Sequence, residues 1–273
     1  MRAPWYFVLP EERSQPSGGN IYNDCIIQAL QQVGQSVEII SADDYLQAIR
    51  QDQVGMYWVD TLVLESIREV LSLRPSQARS LLIVHHLESL SPSTGQSAEK
   101  YRAKEQPWLN WFDGFLATSH FTKDYLRRRE VSQPIIVAEP GTDISLTAIP
   151  KRGTEKVHAL VVANLVERKG ILPWLQWLVE NVKEHDQFSL TIVGRLDIEP
   201  VYAQQCISII KENSLRLKYV YLVGSQPFHQ MANFYHKSNL FISAASMETF
   251  GMALQEARVH QLPILAIDGG NSA

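Results

Sequence analysis

Two glutamates near the C-terminus, Glu248 and Glu256, flank seven residues and follow an apolar run over residues 240–245. The spacing predicts a helix that opens at the first glutamate, with the second about 12 Å further along its axis at about 1.5 Å per residue. Its first turn would contain Phe250 and Gly251, and a helix N-terminus carries partial positive charge that attracts a diphosphate. Because carboxylates accept hydrogen bonds, the pair predicts binding of two hydroxyl-rich parts of one long ligand.

A second candidate is the segment 164–170, which reads Asn-Leu-Val-Glu-Arg-Lys-Gly and follows a predicted strand. Its adjacent cations, Arg168 and Lys169, would pair with phosphate oxygens at the edge where open parallel sheets bind ligands. A charged loop that merely caps the strand is the alternative interpretation.

The first half of the chain has its own polar candidates. Gly18 and Gly19 lie between a predicted strand and helix, where glycine permits a tight turn and lets backbone N–H groups approach an anion. They do not form a Gly-x-Gly-x-x-Gly, so the dinucleotide fingerprint is absent. His85 and His86 end a predicted strand at the rim of the sheet, and a rim residue without function is the alternative. No His-Glu-x-x-His or carboxylate cluster accompanies them, so we expect no protein-held metal.

Short apolar runs alternate with helical segments along the chain, which predicts parallel sheets covered by helices. Strands are predicted over residues 5–9, 36–40, 81–85, 114–117 and 134–138, then over 157–163, 188–193, 219–223, 240–243 and 263–267. The first helix is expected to bury a stripe of Tyr22, Cys25, Ile26, Ala29, Leu30 and Val33, and a later helix covers 120–129.

The polar segment 149–156, which contains Pro and Gly, predicts a linker between domains 1–150 and 151–273. Five strands in the second domain are one fewer than in a full doubly wound sheet. The chain also stops in a glycine turn directly after a strand, so we expect a second domain that is truncated at its C-terminal end.

Composition indicates a globular protein: 273 residues favour two domains, with 45% hydrophobic and 20% charged residues. A net charge of −4 gives no general attraction to nucleic acid, and the run 127–129 of arginines is expected to be a solvated helix end. Cys25 and Cys206 are far apart, and no apolar run reaches the roughly 18 residues of a membrane span. These features indicate the cytoplasm and leave peripheral membrane contact open.

Taken in order, the elements resemble the retaining nucleotide-sugar glycosyltransferases of family 4, which have two facing Rossmann-like domains, the GT-B architecture. The resemblance is clearest over residues 220–270. It is carried there by Val220-Tyr-Leu-Val-Gly, Asn233-Phe-Tyr-His-Lys-Ser-Asn-Leu, Ser246-Met-Glu-Thr-Phe-Gly-Met-Ala-Leu-Gln-Glu-Ala, Leu262-Pro-Ile-Leu-Ala and Gly269-Gly270. In the first half it is carried by Ser17-Gly-Gly-Asn, His85-His-Leu-Glu, Ala117-Thr-Ser-His-Phe-Thr and Glu139-Pro-Gly-Thr-Asp.

The resemblance implies transfer of a sugar from a nucleotide-diphosphate sugar to a hydroxyl of a saccharide, lipid or small molecule, with no other cofactor. It assigns Glu256 to the nucleotide ribose, Glu248 to the donor sugar and Lys169 to the diphosphate. It also assigns Gly18 and Gly19 to the phosphate region from the opposite domain, and His85 to the transferred sugar, with His86 in reserve.

The chain departs from the family pattern at Asn164, where an arginine is usual five residues before the lysine. An amide cannot replace a bidentate cation, and Arg168 is the candidate to compensate. Two alternatives stay open. The same paired domains serve nucleotide-sugar epimerases and phosphorylases, and Asn164 favours a non-catalytic nucleotide-sugar-binding or scaffold protein. The acceptor pocket is expected in variable loops such as 89–104.

Overall fold

The structure is a computed structural model that describes residues 4–11, 17–73, 75–92, 95–141, 156–182 and 188–271. The chain divides into two compact units, Met1–Pro140 and Gly141–Ala273. The predicted linker 149–156 lies outside the described residues except for Lys156. Each unit is an α/β layer structure with its own parallel sheet.

The first unit alternates strands and helices. Its elements are β1 (Trp5–Val8), α1 (Gly18–Gln32), β2 (Val37–Ile40), α2 (Ala42–Arg50), β3 (Gly55–Asp60), β4 (Ala78–Val84), α3 (Ala98–Trp111), β5 (Gly114–Ala117), α4 (His120–Arg128) and β6 (Ile135–Val137), with short 3₁₀ helices at Thr61–Val63, Arg68–Ser72 and Glu88–Leu90. All neighbouring strands pair in parallel in the order β2-β1-β3-β4-β5-β6.

The second unit repeats the alternation with five strands, as predicted. Its elements are β7 (Val157–Val162), a 3₁₀ helix (Glu167–Lys169), α5 (Ile171–Asn181), β8 (Phe188–Val193), α6 (Pro200–Glu212), β9 (Val220–Gly224), α7 (Phe228–Lys237), β10 (Leu240–Ser243), α8 (Met252–Val259) and β11 (Ile264–Ala266). The parallel order is β11-β10-β7-β8-β9. This is the doubly wound order, in which the chain switches direction beside its first strand.

Alternate residues of the central strands pack into two separate cores, one on each face of a sheet. On β4, Leu82 and Val84 belong to one cluster, while Ile83 belongs to another. On β7, Val161 and Leu160 divide in the same way. Side chains alternate between the faces of a strand, so a strand covered by helices on both sides is continuously apolar. This is why apolar runs located the strands.

Helix α1 buries only part of the predicted stripe, since Ile26 and Leu30 pack half-buried against a core cluster of the first unit. Cys25 and Ala29 are exposed and Val33 is 72% exposed, whereas the polar Asn20 and Asn23 are buried. The apolar periodicity was misleading because hydrogen bonds to other groups allow polar side chains to be buried. Tyr22 is buried as expected.

The predicted glycine turn before α1 is also wrong. Gly18 and Gly19 are the first two residues of the helix, and Ser17 caps it by accepting a hydrogen bond from Asn20 N at 3.1 Å. Neither glycine has a positive φ. Their free N–H groups belong to a helix N-terminus, which keeps the predicted ability to face an anion.

Other differences concern residues 41–104 and the arginine run. The sequence analysis assigns no element to residues 41–80, where the structure has α2 and β3, and α3 begins inside the predicted loop 89–104. The arginine run 127–129 is not wholly solvated. Arg129 pairs with Glu105 at 2.8 Å with only 8% of its side chain exposed, so this arginine helps to hold α3 and α4 together.

Candidate functional site

A lysine and a glutamate form an ion pair at the carboxyl edge of the second sheet. Lys169 ends the 3₁₀ helix that follows β7, and Glu248 lies in the loop that follows β10. Lys169 Nζ is 2.5 Å from Glu248 Oε1, and 15% of the lysine and 13% of the glutamate side chain are exposed. The strand order reverses between β7 and β10, so the pair occupies the switch point where open α/β sheets bind ligands.

Gly170 lets the lysine loop approach the chain after β10. Its φ of 65° lies in the left-handed region that favours glycine. A Cβ at this position would lie 2.2 Å from the carbonyl oxygen of Ala244, so no larger residue fits without movement. Next to it, Ser246 N donates a hydrogen bond to the carbonyl oxygen of Arg168 at 3.1 Å. These contacts bring Lys169 within reach of Glu248.

The backbone of Glu248 is held from the other side by the glycine turn after β11. Glu248 N donates to the carbonyl of Gly269 at 3.3 Å, and Asn271 N donates to the carbonyl of Glu248 at 2.7 Å. A Cβ on Gly270 would lie 2.3 Å from the Glu248 carbonyl oxygen. The amide of Asn271 also donates to the carbonyl of the buried Phe250 at 3.3 Å. These contacts hold the backbone at Glu248, the residue whose carboxylate reaches Lys169.

Burial and the neighbouring charges act on the pKa of Lys169 in opposite directions. Burial lowers the pKa of Lys169 below its usual value, the Glu248 carboxylate opposes that shift, and the nearby Arg168 guanidinium adds to it. A cation whose charge is partly desolvated interacts more strongly with an incoming anion than a solvated one. The two adjacent cations predicted for this loop thus lie near each other, and Lys169 pairs with one carboxylate.

The second glutamate of the spaced pair does not share this ion pair. Helix α8 begins only at Met252, after Gly251 in a left-handed conformation with a φ of 80°. The prediction of one helix that opens at Glu248 is therefore wrong, since the positive φ of Gly251 interrupts the helical path. Glu256 lies on α8 and accepts a hydrogen bond from the hydroxyl of Tyr235 at 2.6 Å. Burial raises the pKa of Glu256, and this hydrogen bond partly opposes the shift.

Asn164 joins the exits of two neighbouring strands. Its amide oxygen accepts a hydrogen bond from the backbone N–H of Arg195 at 3.1 Å. Arg195 follows β8, and its guanidinium contacts both carboxylate oxygens of Asp197 at 3.0 and 2.8 Å. The sequence analysis did not consider Arg195, although its place directly after a predicted strand and Gly194 was a usable signal.

A polar cluster lies at the carboxyl edge of the first sheet. His85 Nε2 is 3.3 Å from Asp60 Oδ2 and 3.1 Å from Asn23 Oδ1, and the Asn23 amide donates to Asp60 at 2.6 Å. Asp60 ends β3, His85 follows β4, and Asn23 lies on α1. The cluster flanks the point where the order of the first sheet reverses between β1 and β3, so it occupies the ligand-binding edge of this unit as well.

Asp60 is completely buried, yet its pKa is lowered rather than raised. Burial by itself would raise its pKa, but hydrogen bonds from His85, Leu62 N and Asn23, together with the charge of His85, lower it below the usual value. Because Nε2 of His85 faces Asp60 and Asn23, Nδ1 is the ring nitrogen left to contact a ligand. Asp60 and Asn23 were missed because β3 was not predicted and because Asn23 interrupts the apolar stripe of α1.

The structure therefore brings Lys169 and Glu248 together in one unit and places His85, rather than His86, in the polar cluster of the other. Gly19 is adjacent to that cluster, since a Cβ on it would lie 3.6 Å from the ring of His85. Within the described ranges, no group of three or more His, Cys, Asp or Glu side chains is arranged to hold a metal ion. None of the helices described has the length and apolar composition to cross a membrane.

Comparison with known proteins gives a family match for the second unit. Residues 146–273 match the family described as Glycosyl transferases group 1. No curated protein matches the chain by sequence.

Solved structures resemble the chain over nearly its whole length. Sucrose-phosphate synthase from Thermosynechococcus elongatus matches with a TM-score of 0.78 at 18% identity, over 98% of this chain and 82% of that one. HepE of Anabaena, in complex with UDP and glucose, matches with a TM-score of 0.69 at 16% identity, over 99% of this chain and 82% of that one. The pneumococcal O-GlcNAc transferase GtfA, in complex with UDP and GlcNAc, matches with a TM-score of 0.56 at 18% identity, over 82% of this chain and 44% of that one. These likenesses confirm the predicted GT-B fold class.

Proposed function

We propose that this chain is a retaining glycosyltransferase that moves a sugar from a nucleotide-diphosphate sugar to an acceptor hydroxyl. One observation above all supports this function: a desolvated lysine and a glutamate meet at the switch point of the unit that matches Glycosyl transferases group 1. UDP-sugars are the first donors to test, because structures of two similar proteins contain UDP together with a sugar.

In this proposal the second unit binds the donor. Lys169, with Arg168 beside it, faces the diphosphate, and Glu248 accepts hydrogen bonds from hydroxyls of the donor sugar. Glu256 accepts from the ribose hydroxyls, with its carboxylate held by Tyr235. The turn at Phe250 and Gly251 directs the N-terminus of α8 toward the nucleotide, and Asn164 positions the adjacent strand exit through Arg195 N.

The first unit supplies the groups near the transferred sugar. His85 contacts the sugar through its Nδ1 side, because its Nε2 faces Asp60 and Asn23. The N–H groups of Gly18 and Gly19, at the N-terminus of α1, approach the phosphates. A reducing compartment such as the cytoplasm suits Cys25 and Cys206, which form no disulfide within the described residues.

The chemistry requires stabilisation of charge that grows during bond cleavage. The glycosyl centre becomes oxocarbenium-like, as in other reactions at the anomeric carbon, and negative charge develops on the departing diphosphate. A cation that is already in place stabilises this transition state more than the ground state, which is what accelerates the reaction. The acceptor hydroxyl then attacks on the face from which the diphosphate leaves and gives its proton to the departing phosphate oxygen, so that configuration is retained without a protein nucleophile.

A second candidate function is nucleotide-sugar binding without transfer. Asn164 favours it, because the family pattern has an arginine at this place and an amide carries no charge to stabilise a leaving diphosphate. Such a protein would bind a nucleotide sugar and return it unchanged.

The two functions are separated by one series of measurements on the full chain. A thermal-shift screen of nucleoside diphosphates and their sugars identifies the donor, because a ligand that binds only the folded state raises the melting temperature. The donor is then incubated with simple saccharide acceptors, and the anomeric configuration of the product is read by NMR. We expect transfer with retention. Inversion would refute the retaining mechanism, binding without transfer or hydrolysis would favour the second candidate, and no binding would refute both.

A further inference from the structure

The cation proposed to bind the diphosphate is already neutralised in the structure. Lys169 Nζ lies 2.5 Å from Glu248 Oε1, and both side chains are largely removed from solvent. This inference rests on the proposed function, since it concerns the same site. A ligand phosphate that binds Lys169 must displace the Glu248 carboxylate, which already contacts the lysine.

The backbone of Glu248 has little freedom to withdraw when that happens, so its carboxylate can move only as far as rotation of the side chain allows. Its backbone N–H and carbonyl are both hydrogen-bonded to the turn at Gly269 and Asn271, and the missing side chain of Gly270 allows this close approach. After losing Lys169, the carboxylate would stay near the ligand's negative charge. A half-buried charge without a partner is costly, and like charges at close range repel each other.

A ligand that carries hydroxyl groups next to its diphosphate avoids both penalties, because the hydroxyls donate hydrogen bonds to the carboxylate. We propose that Glu248 is a specificity determinant that excludes bare diphosphates and admits diphosphates that carry a sugar. The same contact favours release of the nucleoside diphosphate after transfer, because the product no longer has a sugar to satisfy Glu248 and the carboxylate returns to Lys169.

The test uses inorganic pyrophosphate, which contains the diphosphate without base, ribose or sugar. Its dissociation constant is measured by calorimetry on the full chain for the wild type, Glu248→Gln and Glu248→Ala. Removing one repelling charge about 4 Å from the ligand is expected to tighten binding roughly 10- to 100-fold in both variants. The alanine variant guards against a misplaced glutamine, and unfolding curves verify that each variant is folded.

Glu256→Gln is the matched control. This glutamate belongs to the same spaced pair but contacts Tyr235 rather than Lys169, and pyrophosphate has no ribose for it to bind. We expect its affinity for pyrophosphate to stay within about twofold of the wild type, as the removed charge is not at the lysine.

The outcomes separate the inference from the function on which it rests. If all three variants and the wild type bind pyrophosphate equally, or the Glu248 variants bind it less tightly, the exclusion role is wrong while the diphosphate site stands. An equal gain in pyrophosphate affinity in Glu256→Gln would also overturn the exclusion role of Glu248, because the change in net charge alone would then explain the effect. If no form binds pyrophosphate, both the inference and the proposed diphosphate site fail.

Discussion

Gly170 offers a sharp test of how the lysine loop is positioned. An alanine there would adopt a φ near 65°, a left-handed conformation that costs a residue with a Cβ roughly 1–2 kcal/mol. The new Cβ would also lie 2.2 Å from the Ala244 carbonyl oxygen, well inside the ordinary contact of about 3.5 Å. Relieving such an overlap in a packed region costs about 1–3 kcal/mol more. We therefore expect Gly170→Ala to destabilise the second unit by about 2–5 kcal/mol.

Gly224 provides a matched control in the same unit. It has a φ of 71°, and nothing lies within 4 Å of a Cβ built on it. Gly224→Ala should therefore carry only the conformational cost of roughly 1–2 kcal/mol. The difference between the losses of stability of the two variants therefore measures the contribution of the close contact between the loops that follow β7 and β10.

Hydrogen exchange of the amides of β7 and β10 measures both free energies in the intact chain, because these central strands open only when the second unit unfolds. A global melting curve is less suitable, since two units need not unfold as one. We expect the protection of Gly170→Ala to fall further than that of Gly224→Ala. Equal losses in the two variants would show that the loop does not depend on contact with Ala244, and the account of how Lys169 reaches Glu248 would be wrong.

Three further predictions concern charged groups. Lys169→Ala should lower turnover of an identified donor roughly 100- to 1000-fold, by analogy with the loss of one preorganised stabiliser of developing charge, and wild-type turnover would remove the lysine from the mechanism. Because burial raises the pKa of Glu256, the unfolded chain loses this proton at lower pH, so stability falls as pH rises above about 4.5. Glu256→Gln still accepts a hydrogen bond from Tyr235, so its melting temperature should exceed that of the wild type at pH 8 and equal it near pH 4. A melting temperature below that of the wild type at pH 8 would contradict this. The pKa of Asp60 is lowered, so its contribution is present above about pH 4 and is lost as pH falls through the folded-state pKa. Asp60→Asn should therefore cost the first unit roughly 1–3 kcal/mol at pH 7, with a gap to the wild type that narrows in acid; a constant gap would mean that ionisation of Asp60 does not matter.

The strands were predictable because their burial on both faces requires continuous apolar runs, which are visible in the sequence. A parallel strand covered on both faces must be apolar throughout, and the runs over 114–117, 188–193 and 240–243 are confirmed at the same residues. Strand β3 carries a similar run, Met56–Val59, so its omission reflects the unassigned stretch around it rather than a different physical pattern. The alternation with helices predicted that the strands pair in parallel, but it did not predict their order in either sheet.

The polar groups were harder to predict, since partners distant in sequence decide them. Asn23 and Asp60 are 37 residues apart, and nothing local indicates that each satisfies the other in a buried position. The same holds for Tyr235 and Glu256, which meet only because α7 and α8 pack on the same face of the second sheet. In contrast, Lys169 and Glu248 follow strands that are neighbours at a switch point, so the topology alone predicts that they converge.

Asn164 illustrates why a substituted position has to be read with its neighbours. Compared with the family pattern, the sequence shows only a missing cation. In the structure the amide oxygen accepts a hydrogen bond from Arg195 N, a contact that an arginine side chain cannot make because a guanidinium has no acceptor. Asn164 therefore has a structural role, because it holds the backbone at Arg195 after β8, and the side chain of Arg195 is itself a cation. The described carboxyl edge of the second sheet carries the cations Lys169, Arg168 and Arg195, of which Lys169 pairs with Glu248 and Arg195 with Asp197. A cation that replaces the family's arginine there has to act in competition with these carboxylates.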